Sequence, residues 1–541
     1  MPVRPAANRI LDADAVVIGA GFSGLYLVHQ LRNERGLTVR GFEAGGGVGG
    51  TWYWNRYPGA RTDSLYSIYR FSFSDELAQQ WTYSERYPPQ AEVLAYLEWV
   101  TDRLDLRRSF QFDTRVTAAH YDEDHQVWTV HADDGTTVRA RYVFAGLGLL
   151  TTPNLPNVPG LENFGGQWYH SASWPSDRVD LAGKRVAQIG TGSTGIQMLP
   201  HLAEDAGQVT VFQRTPNYVV PARNRPLTEA EQREFREQHR DIRERIRRHG
   251  FAMPFSSVAK SALEADERTR NEIYQRAWEL GGFYFFFGTF DDIIVDEAAN
   301  ETACEFIRDK IREIVRDADT ARLLCPRGYP YGAKRPPAGT DYYQTFNRDN
   351  VRLVDVSEDP IVEYTATGVR TATREFAADV IVLATGFDAT TGAFDKIDIR
   401  GRGGERLADK WRDGPVSNLG ISSAGFPNFF IVSGPLSPFA NIPTCIEENV
   451  DWIMAALDRL RADGLSSIEA TEDAEREWTQ HVQDVAAMTV AGAGASVHSW
   501  FTGANVEGKK QAVNLYFGGA DNYFAACRAA AENDYAGFVR R

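Results

Sequence analysis

Residues 15–24 read Ala-Val-Val-Ile-Gly-Ala-Gly-Phe-Ser-Gly, and they set the fold expected for the first part of the chain. The apolar, β-branched run predicts a buried parallel strand, and the apolar residues after Gly24 predict a helix. Between them Gly19, Gly21 and Gly24 are spaced as G-x-G-x-x-G, which lets a turn approach a pyrophosphate at the helix N-terminus. The next strand ends at Glu43, where a carboxylate can accept hydrogen bonds from ribose hydroxyls. These features predict a dinucleotide-binding unit, and the alternative is a glycine-rich turn without a ligand.

The same order of strand, glycine turn and helix recurs at residues 185–195. Here the strand after the fingerprint ends at Arg214-Thr215 and not at an acid. An arginine at this position favours a 2′-phosphate through charge-assisted hydrogen bonds, although it could also be an exposed, solvated charge. We therefore assign FAD to the first unit and NADP to the second. The residues placed at the NADP site are Gly190, Gly192, Ser193, Thr194, Gly195, Gln197, Arg214 and Thr215.

Between the two fingerprints, residues 164–175 read FGGQWYHSASWP. Composition alone predicts an aromatic-rich connector. Its glycine pair makes it flexible, and its proline disfavours a helical conformation at the preceding residue. Taken alone, a single histidine in such a stretch is more often satisfied by a neighbouring backbone group than functional. The spacing is F-x-G-x-x-x-H-x-x-x-W-P, filled by Phe164, Gly166, His170, Trp174 and Pro175.

Residues 49–63 read GGTWYWNRYPGARTD, with too many glycines and aromatic residues for a regular helix. An irregular loop is expected, and its place after the first nucleotide-binding unit suits the wall of a pocket for an aromatic ring. The alternative is a hydrophobic surface loop. The residues assigned to cofactor binding here are Gly50, Thr51, Trp52 and Asp63.

The fold class predicted is α/β, with two Rossmann-like dinucleotide-binding domains and a helical insertion in the second. Residues 1–150 are expected to form the first part of the FAD-binding domain, and residues 151–385 the NADP-binding domain, with the insertion at about 225–333. Residues 386–541 complete the FAD-binding domain after a strand that ends at Thr385-Gly386. Within the insertion, the aromatic cluster at 281–288 is expected to be core or to line an apolar pocket.

Two C-terminal stretches are candidates for the substrate side of the site. The proline-punctuated loop 433–443 offers Leu436 and Phe439 as apolar contacts. The small residues 491–495 predict a mobile lid that ends near Trp500, with a plain linker as the alternative.

Bulk composition narrows the function further. The chain has 541 residues and a formal net charge of −15, which argues against a nucleic-acid partner. Its four cysteines show no metal-ligand or CxxC spacing, so no metal site or disulfide scaffold is expected. No run reaches the roughly eighteen apolar residues of a membrane span, and the first residues lack the apolar core of a signal peptide. We therefore expect a cytoplasmic protein without a membrane or obligate protein partner.

Together these motifs resemble the type I Baeyer–Villiger monooxygenases, in particular the cyclohexanone monooxygenases. The resemblance spans nearly the whole chain and includes both fingerprints, the 164–175 pattern, the 49–63 loop, the Lys334-Arg335 pair and the Ala-Thr-Gly-Phe-Asp segment 384–388. It implies FAD and NADPH as cofactors and a ketone and O₂ as substrates. It further implies an ester or lactone product, formed through a C4a-peroxyflavin and a tetrahedral intermediate.

The resemblance also implies roles for individual residues. Arg335, held by Asp63, would be the catalytic cation, and Lys334 would join Arg214 at the NADP 2′-phosphate. Trp500 would contact cofactor and substrate, while His170 would serve domain movement and not proton transfer. The lid departs from the family pattern, because Val490-Ala491-Gly492 stands where relatives have Leu-Phe-Pro.

Three other functions remain open at this point. A flavin monooxygenase that oxidises nitrogen or sulfur would share both fingerprints. A flavin disulfide reductase is disfavoured, because no cysteine pair lies near the first fingerprint. A non-enzymatic flavoprotein that senses NADP would consume no NADPH in response to a ketone.

Overall fold

The structure is a computed structural model that describes residues 9–541, with side chains from Asp12 onward. Two sheets organise the described chain, a mixed sheet of eight strands and a parallel sheet of five. The strands are β1 (Arg9–Ile18), β2 (Val39–Phe42), β3 (Phe110–Gln111), β4 (Val116–Asp122), β5 (Val127–Ala132), β6 (Thr136–Ala145), β7 (Thr152–Pro153), β8 (Gln167–His170), β9 (Arg185–Ile189), β10 (Gln208–Gln213), β11 (Val220–Pro221), β12 (Ala338–Gly339), β13 (Val351–Asp355), β14 (Ile361–Thr365), β15 (Gly368–Thr371), β16 (Glu375–Ala377), β17 (Val380–Leu383), β18 (Phe387–Asp388), β19 (Asp398–Arg400), β20 (Phe429–Ile431), β21 (Ile468–Ala470) and β22 (Phe538–Arg540).

Helices pack against both sheets and form the insertion in the five-stranded one. They are α1 (Phe22–Val28), α2 (Thr51–Trp54), α3 (Asp75–Gln80), α4 (Gln90–Arg103), α5 (Ser193–Asp205), α6 (Glu229–Arg247), α7 (Glu267–Leu280), α8 (Tyr284–Phe287), α9 (Glu297–Ile314), α10 (Ala318–Leu324), α11 (Tyr342–Thr345), α12 (Leu407–Lys410), α13 (Ile442–Asp463), α14 (Glu472–Ala487) and α15 (Ala520–Glu532).

The eight-stranded sheet has the order β19-β4-β5-β6-β1-β2-β3, with β20 also paired to β6. Its central strands β6, β1, β2 and β3 run parallel, and β4 and β5 form an antiparallel meander beside them. The run Ala15–Val17 in β1 is fully buried. Ala15 and Val17 belong to an apolar cluster with residues of α1 and α13, and Val16 belongs to a second cluster with residues of β4 and β5. The strand predicted before the first fingerprint is therefore the centre of this sheet.

The five-stranded sheet has the order β13-β10-β9-β17-β8, and all of its pairs are parallel. Strand β8 comes from the stretch for which composition predicted only a connector, and that expectation was wrong for Gln167–His170. The four residues pair in register with β17 because Gly166 allows the chain to enter close to the neighbouring strand. A Cβ on Gly166 would lie 2.3 Å from the Asp379 carbonyl oxygen.

The helices α6 to α10 are inserted between β10 and β13 of the same sheet, as the charge-rich sequence predicted. Helix α6 begins with a capping box formed by Thr228 and Glu231, which explains its sharp start. One face of α6 contacts other parts of the chain, since Arg70 lies 4.2 Å over the Phe235 ring. The aromatic cluster of α8 is mostly core, with Phe285 fully buried.

Two chain segments connect the sheets, and they pair with each other. Strand β7 on the outward connection and β18 on the return connection form an antiparallel pair, Phe387 opposite Pro153. Any motion of one sheet relative to the other must therefore also move the paired strands β7 and β18.

Among residues 9–541, no helix combines the length and apolarity that crossing a membrane requires. Within the same range, no group of three or more His, Cys, Asp or Glu side chains is arranged to hold a metal ion. All four cysteines are buried as free thiols.

Candidate active site

The first glycine turn is built so closely that side chains are excluded from it. Gly19 has a φ of +99°, and a Cβ there would lie 2.5 Å from the Gly146 carbonyl oxygen. A Cβ on Gly24 would lie 1.8 Å from the Gly19 carbonyl oxygen, so only glycine permits the helix to start against the strand. The turn leaves the N-terminus of α1 clear of side chains, which suits a pyrophosphate.

Glu43 lies at the end of β2 and holds this turn. Its carboxylate accepts the backbone N–H groups of Ala20 and Gly45, both at 2.7 Å. Burial raises the pKa of Glu43 above its ordinary value, although the two N–H donors oppose that shift. Each carboxylate oxygen can accept more than one hydrogen bond, so Glu43 retains capacity for a ribose hydroxyl.

The loop after the first unit folds back over the glycine turn. The N–H of Gly49 donates to the Ala20 carbonyl at 2.9 Å, and a Cβ on Gly50 would lie 2.9 Å from Gly21 Cα. Residues 51–54 form one helical turn, α2, where the sequence predicted irregular structure throughout. Trp52 is buried beneath this turn, and its indole N–H donates to the Tyr69 hydroxyl at 3.1 Å.

The second glycine turn shares the geometry of the first but is open on one side. A Cβ on Gly190 would lie 2.3 Å from the Ala384 carbonyl oxygen, and one on Gly195 would lie 2.3 Å from the Gly190 carbonyl oxygen. At Gly192, in contrast, no atom lies within 4 Å of an added Cβ. Gly192 caps α5 without any side-chain hydrogen bond, so the first N–H groups of the helix face open space. This arrangement fits a pyrophosphate.

Near the second turn, Lys334 lies close enough to Arg214 for their charges to interact, and Arg214 is exposed to solvent. Within the described chain neither cation forms an ion pair with a carboxylate. Burial, and then the positive charge of Arg214, lower the pKa of Lys334 to about 8. Two neighbouring cations that repel each other without a carboxylate between them fit an anionic group such as the 2′-phosphate of NADP.

Arg335 and Asp63, 272 residues apart in sequence, form a two-pronged ion pair. The Arg335 Nη2 donates to Asp63 Oδ1 at 2.6 Å, and Nη1 donates to the other carboxylate oxygen. The side chains are 27% and 15% exposed, so both are partly shielded from water. Burial alone would lower the pKa of Arg335, but the charge and hydrogen bonds of Asp63 raise it above its ordinary value. The Arg335 guanidinium also lies 5.6 Å from the centre of the Phe283 ring.

The residues 490–502, here the lid segment, lie against the loop that carries this pair. Residues Val490–Val497 form a 3₁₀ helix and not the extended linker that their small side chains also allow. A Cβ on Gly494 would lie 2.9 Å from the Ala333 carbonyl oxygen, directly before Lys334. Trp500 is half-buried, with its ring 4.8 Å from that of Phe501.

Comparisons with known proteins identify relatives that match nearly the whole chain. A family described as "Flavin-binding monooxygenase-like" matches residues 13–225. A Baeyer-Villiger monooxygenase of Pseudooceanicola batsensis is 44% identical over 531 residues, which are 98% of this chain and 96% of that protein. A phenazine N-monooxygenase of Lysobacter antibioticus is 44% identical over 528 residues, 97% of this chain and 96% of that protein. The crystal structure of cyclohexanone monooxygenase from Rhodococcus sp. Phi1 bound to NADP⁺ is similar with a TM-score of 0.96 at 47% identity, over 98% of this chain and 100% of that one.

The chain belongs to the type I Baeyer–Villiger monooxygenases. It is an FAD- and NADPH-dependent flavoprotein of the cyclohexanone monooxygenase type, with two Rossmann-like dinucleotide-binding folds.

In this Baeyer–Villiger monooxygenase, His170 lies where the two connections between the sheets cross. Its side chain is 2% exposed, and Nδ1 accepts the Ala172 N–H at 3.1 Å. The proton is therefore on Nε2, which lies 3.3 Å from the Thr385 hydroxyl oxygen; that hydroxyl donates to the Asn154 carbonyl at 2.6 Å. Burial lowers the pKa of His170, so the ring is neutral at neutral pH. These bonds link the 164–175 motif with both connections.

Phe439, predicted to line the substrate pocket, packs against aromatic residues that the sequence did not single out. Phe439 is half-buried, and its ring lies 5.0 Å from Phe501, 5.6 Å from Phe517 and 6.5 Å from Phe251. Neither Phe251 nor Phe517 lies in a recognisable motif. Only the fold brings them to Phe439.

Leu436 was also predicted to contact the substrate, but the structure places it in the core. The whole residue is 0% exposed, enclosed in the core beneath α13 with Ile446 and Val450. Because the residue has no exposed surface, Leu436 packs in the core and supports the loop 433–443.

Tyr57 is a further polar contact that the sequence did not reveal. Its hydroxyl donates to Gln197 Oε1 at 2.8 Å, and Gln197 Nε2 donates to the Arg61 carbonyl at 3.2 Å. Helix α5 is thereby bonded to the loop that ends at Asp63. A Cβ on Gly59 would lie 2.4 Å from the Gln197 carbonyl oxygen, which explains the glycine after Tyr57-Pro58.

Proposed function

We propose that this enzyme converts ketones, cyclic ketones in particular, to esters or lactones with NADPH and O₂. One oxygen atom enters between the carbonyl carbon and a neighbouring carbon, and the other leaves as water. NADPH supplies the two electrons, and one further proton completes the balance. The Arg335–Asp63 ion pair is the observation that carries this proposal, because an oxygenation that proceeds through anions needs a fixed cation.

Bound FAD, once reduced by NADPH, supplies the electrons that turn O₂ into an oxygen nucleophile. We propose that Arg335 provides the positive charge for the anionic groups of this reaction. Its raised pKa keeps the guanidinium charged at any working pH. Asp63 fixes the plane of the guanidinium through two hydrogen bonds, so that little reorganisation is needed during the reaction.

We propose that Lys334 and Arg214 bind the 2′-phosphate of NADPH. Their charges, which no carboxylate pairs within the described chain, support this assignment, since a phosphate would offset both the burial and the repulsion from Arg214 that lower the Lys334 pKa. The glycine turn at 190–195 would receive the pyrophosphate at the N-terminus of α5. Because Lys334 and Arg335 are adjacent, binding of the nicotinamide cofactor would also position the catalytic cation.

For the substrate, we propose a compartment lined by Phe439, Trp500 and Phe251. Aromatic walls with few polar groups favour a compact apolar ketone and leave its carbonyl to Arg335. The lid segment would close this compartment and exclude water.

Product analysis tests the proposed function. The purified yellow enzyme is supplied with NADPH, O₂ and, in parallel, cyclohexanone, an aryl thioether or phenazine. We expect lactone formation from the ketone with NADPH consumption to match. Because a phenazine N-monooxygenase is as similar in sequence as the Baeyer-Villiger relative, the phenazine arm is essential. N-oxide without lactone would contradict the proposal.

A further inference from the structure

Glu447 is a buried carboxylate that no role described above uses. It lies near the start of α13, and its side chain is 1% exposed. The carboxylate accepts the backbone N–H and the hydroxyl of Ser72, and it accepts the N–H of Phe73 at 3.2 Å. A single side chain from residue 447 thus satisfies three donors of a segment 375 residues earlier.

The segment it holds is the continuation of the loop that carries Asp63. We call residues 63–73 the Asp63 loop. Between its ends, the Ile68 carbonyl accepts from Asn441 Nδ2 at 2.9 Å, and the Phe71 N–H donates to the Tyr96 hydroxyl at 2.9 Å. With Trp52 bonded to Tyr69 as well, the loop has few internal degrees of freedom. A shift at Ser72 would therefore be transmitted towards Asp63.

Glu447 also faces the last turn of α6. Arg247 Nη2 lies 3.8 Å from its carboxylate, and Arg247 in addition forms an ion pair with Glu448. Four residues after Arg247, the Phe251 carbonyl accepts from the Asn441 N–H at 3.2 Å, and its ring meets Phe439. The same carboxylate therefore joins the Asp63 loop, α13 and the helix that leads to the proposed substrate wall.

We propose that Glu447 is a positioning residue for oxygenation. It fixes the Asp63 loop against α13 and α6, so that Asp63 presents Arg335 correctly to the reacting oxygen. The inference rests on the proposed role of Arg335. It adds a second support, remote from cofactor and substrate, to the same ion pair.

The ionised form of Glu447 is disfavoured by its burial in the folded protein. Burial raises its pKa to about 6 from 4.5, against the opposing effects of Ser72, Arg247 and Arg243. Since the folded pKa lies above the ordinary value, ionisation of this group lowers stability as pH rises through that range. The other ionisable groups around it are Tyr26, Tyr96, Glu448 and Asp451.

Substitutions of Glu447 in the holoenzyme separate positioning from folding. Glu447→Gln keeps the shape, and its amide oxygen can still accept both N–H groups while the Ser72 hydroxyl turns to accept from the amide. Glu447→Ala removes all three bonds, and Glu447→Asp is too short to make them. Glu448→Ala is the matched control, because among the contacts of the described chain Glu448 reaches Arg247 but not the Asp63 loop.

Two quantities are measured for each variant: the anaerobic rate of flavin reduction by NADPH, and the oxygenated product formed per NADPH consumed. For Glu447→Ala and Glu447→Asp we expect the product yield to fall about tenfold or more, with hydrogen peroxide replacing it, as a displacement near 1 Å would cause. Flavin reduction should stay within about twofold, and Glu447→Gln should restore most of the yield.

An unchanged product yield in Glu447→Asp would overturn the inference, as would equal losses of flavin reduction and product in all Glu447 variants. If Glu447→Ala does not fold, Glu447→Asp and Glu447→Gln decide the question. If the wild-type enzyme oxygenates a thioether and no ketone, the proposed function fails. The yield per NADPH can then be measured with the thioether, so the inference about Glu447 is tested separately.

Discussion

The ion pair with Asp63 keeps the charged guanidinium of Arg335 in a fixed, partly buried position that neither residue would adopt alone. A guanidinium on a loop would normally face water, and a lone carboxylate at 15% exposure would be poorly solvated. Two parallel hydrogen bonds fix the geometry, which a lysine could not reproduce.

Replacing Arg335 should stop oxygenation and spare flavin reduction. For Arg335→Ala we expect ester formation to fall by about 10²–10³, the usual effect of removing one preorganised donor. Arg335→Lys should recover part of this, because it keeps charge without the fork. Stopped-flow reduction and gas chromatography of the product report the two steps, with the exposed Arg374→Ala as control. Ester formation by Arg335→Ala at the wild-type rate would contradict the role.

Removal of Arg335 also strands Asp63, which could by itself disturb the loop. The double variant Arg335→Ala with Asp63→Ala removes both charges. Since the proposed role needs the cation, the double variant should remain inactive. Recovery of ester formation in it would assign the loss to the stranded carboxylate.

The affinity for NADPH should depend on the protonation of Lys334. With a pKa lowered to about 8, Lys334 is cationic below that pH and loses its charge as pH rises through it. The KM for NADPH should therefore rise above pH 8, by about tenfold for the loss of one charge-assisted hydrogen bond. NADH lacks the 2′-phosphate and serves as the control, with a KM that stays level.

Two variants refine this prediction. Lys334→Met should remove the pH dependence and leave a high KM for NADPH throughout. Arg214→Ala should weaken the preference for NADPH over NADH at every pH. Equal KM values for both nucleotides in the wild-type enzyme would end the assignment of the 2′-phosphate site.

At the level of single residues, the sequence predicted site residues correctly placed in the fold where a motif fixes the backbone geometry. Gly19 and Gly190 are required by positive φ and close carbonyl contacts, so their pattern is informative. It failed for Leu436, because an apolar residue in a proline-rich loop can point to core or cavity with equal ease. It missed Tyr57, whose partner Gln197 is distant in sequence and identified only by contact.

Among the elements, the lid segment shows how small residues can serve packing. Gly494 permits contact with the Ala333 carbonyl, where a methyl group would lie 2.9 Å from the oxygen and 3.0 Å from Ser499 Cβ. From these small residues the sequence predicted a mobile segment. The structure gives a different reason for Gly494, because its close neighbours leave no room for a larger side chain.

Gly494→Ala should therefore displace the lid segment from the Lys334-Arg335 loop. An overpacked contact costs about 1–3 kcal/mol, which would weaken closure by about fivefold or more. We expect a higher KM for the ketone and more hydrogen peroxide per NADPH, with flavin reduction unchanged. Ser496→Ala, on the exposed side of the same 3₁₀ helix, is the control. A Gly494→Ala variant with wild-type KM and coupling would show that this contact does not matter for closure.

Strand β8 and helix α2 were not predicted, because sequence patterns are weak for elements this short. Both consist of four residues, too few for a clear period of 2 or 3.6. Strand β8 exists because β17 offers an edge and Gly166 allows the approach. Helices such as α6, with a capping box and many charged residues, were predictable because their signals are local.

On the scale of the whole molecule, the paired connections at β7 and β18 join two sheets that must cooperate. On the proposed assignment NADPH binds the five-stranded sheet and FAD the eight-stranded sheet, so the relative placement of the sheets would affect every turnover. His170 bonds Thr385 of one connection, which in turn bonds Asn154 of the other.

We expect His170→Ala to slow steady-state turnover about tenfold while FAD remains bound, because the variant loses the bond between motif and connection. The loss should be greater in kcat than in the rate of a single anaerobic flavin reduction. Thr385→Ser, which keeps the hydroxyl, is the control. If kcat and flavin reduction are both unaffected in His170→Ala, the residue is structural only.

The sequence by itself determined the two nucleotide-binding units and their cofactors, because glycine turns and strand ends act through local backbone geometry. It indicated the family through motifs that resemble those of known members. It also indicated Arg335 and Asp63, but through resemblance and not through chemistry visible in either stretch. Only the tertiary structure decided which side chains meet: Tyr57 with Gln197, Phe439 with Phe251, and Glu447 with Ser72. Contacts between segments hundreds of residues apart depend on how sheets and helices pack, and a local pattern carries no information about that packing.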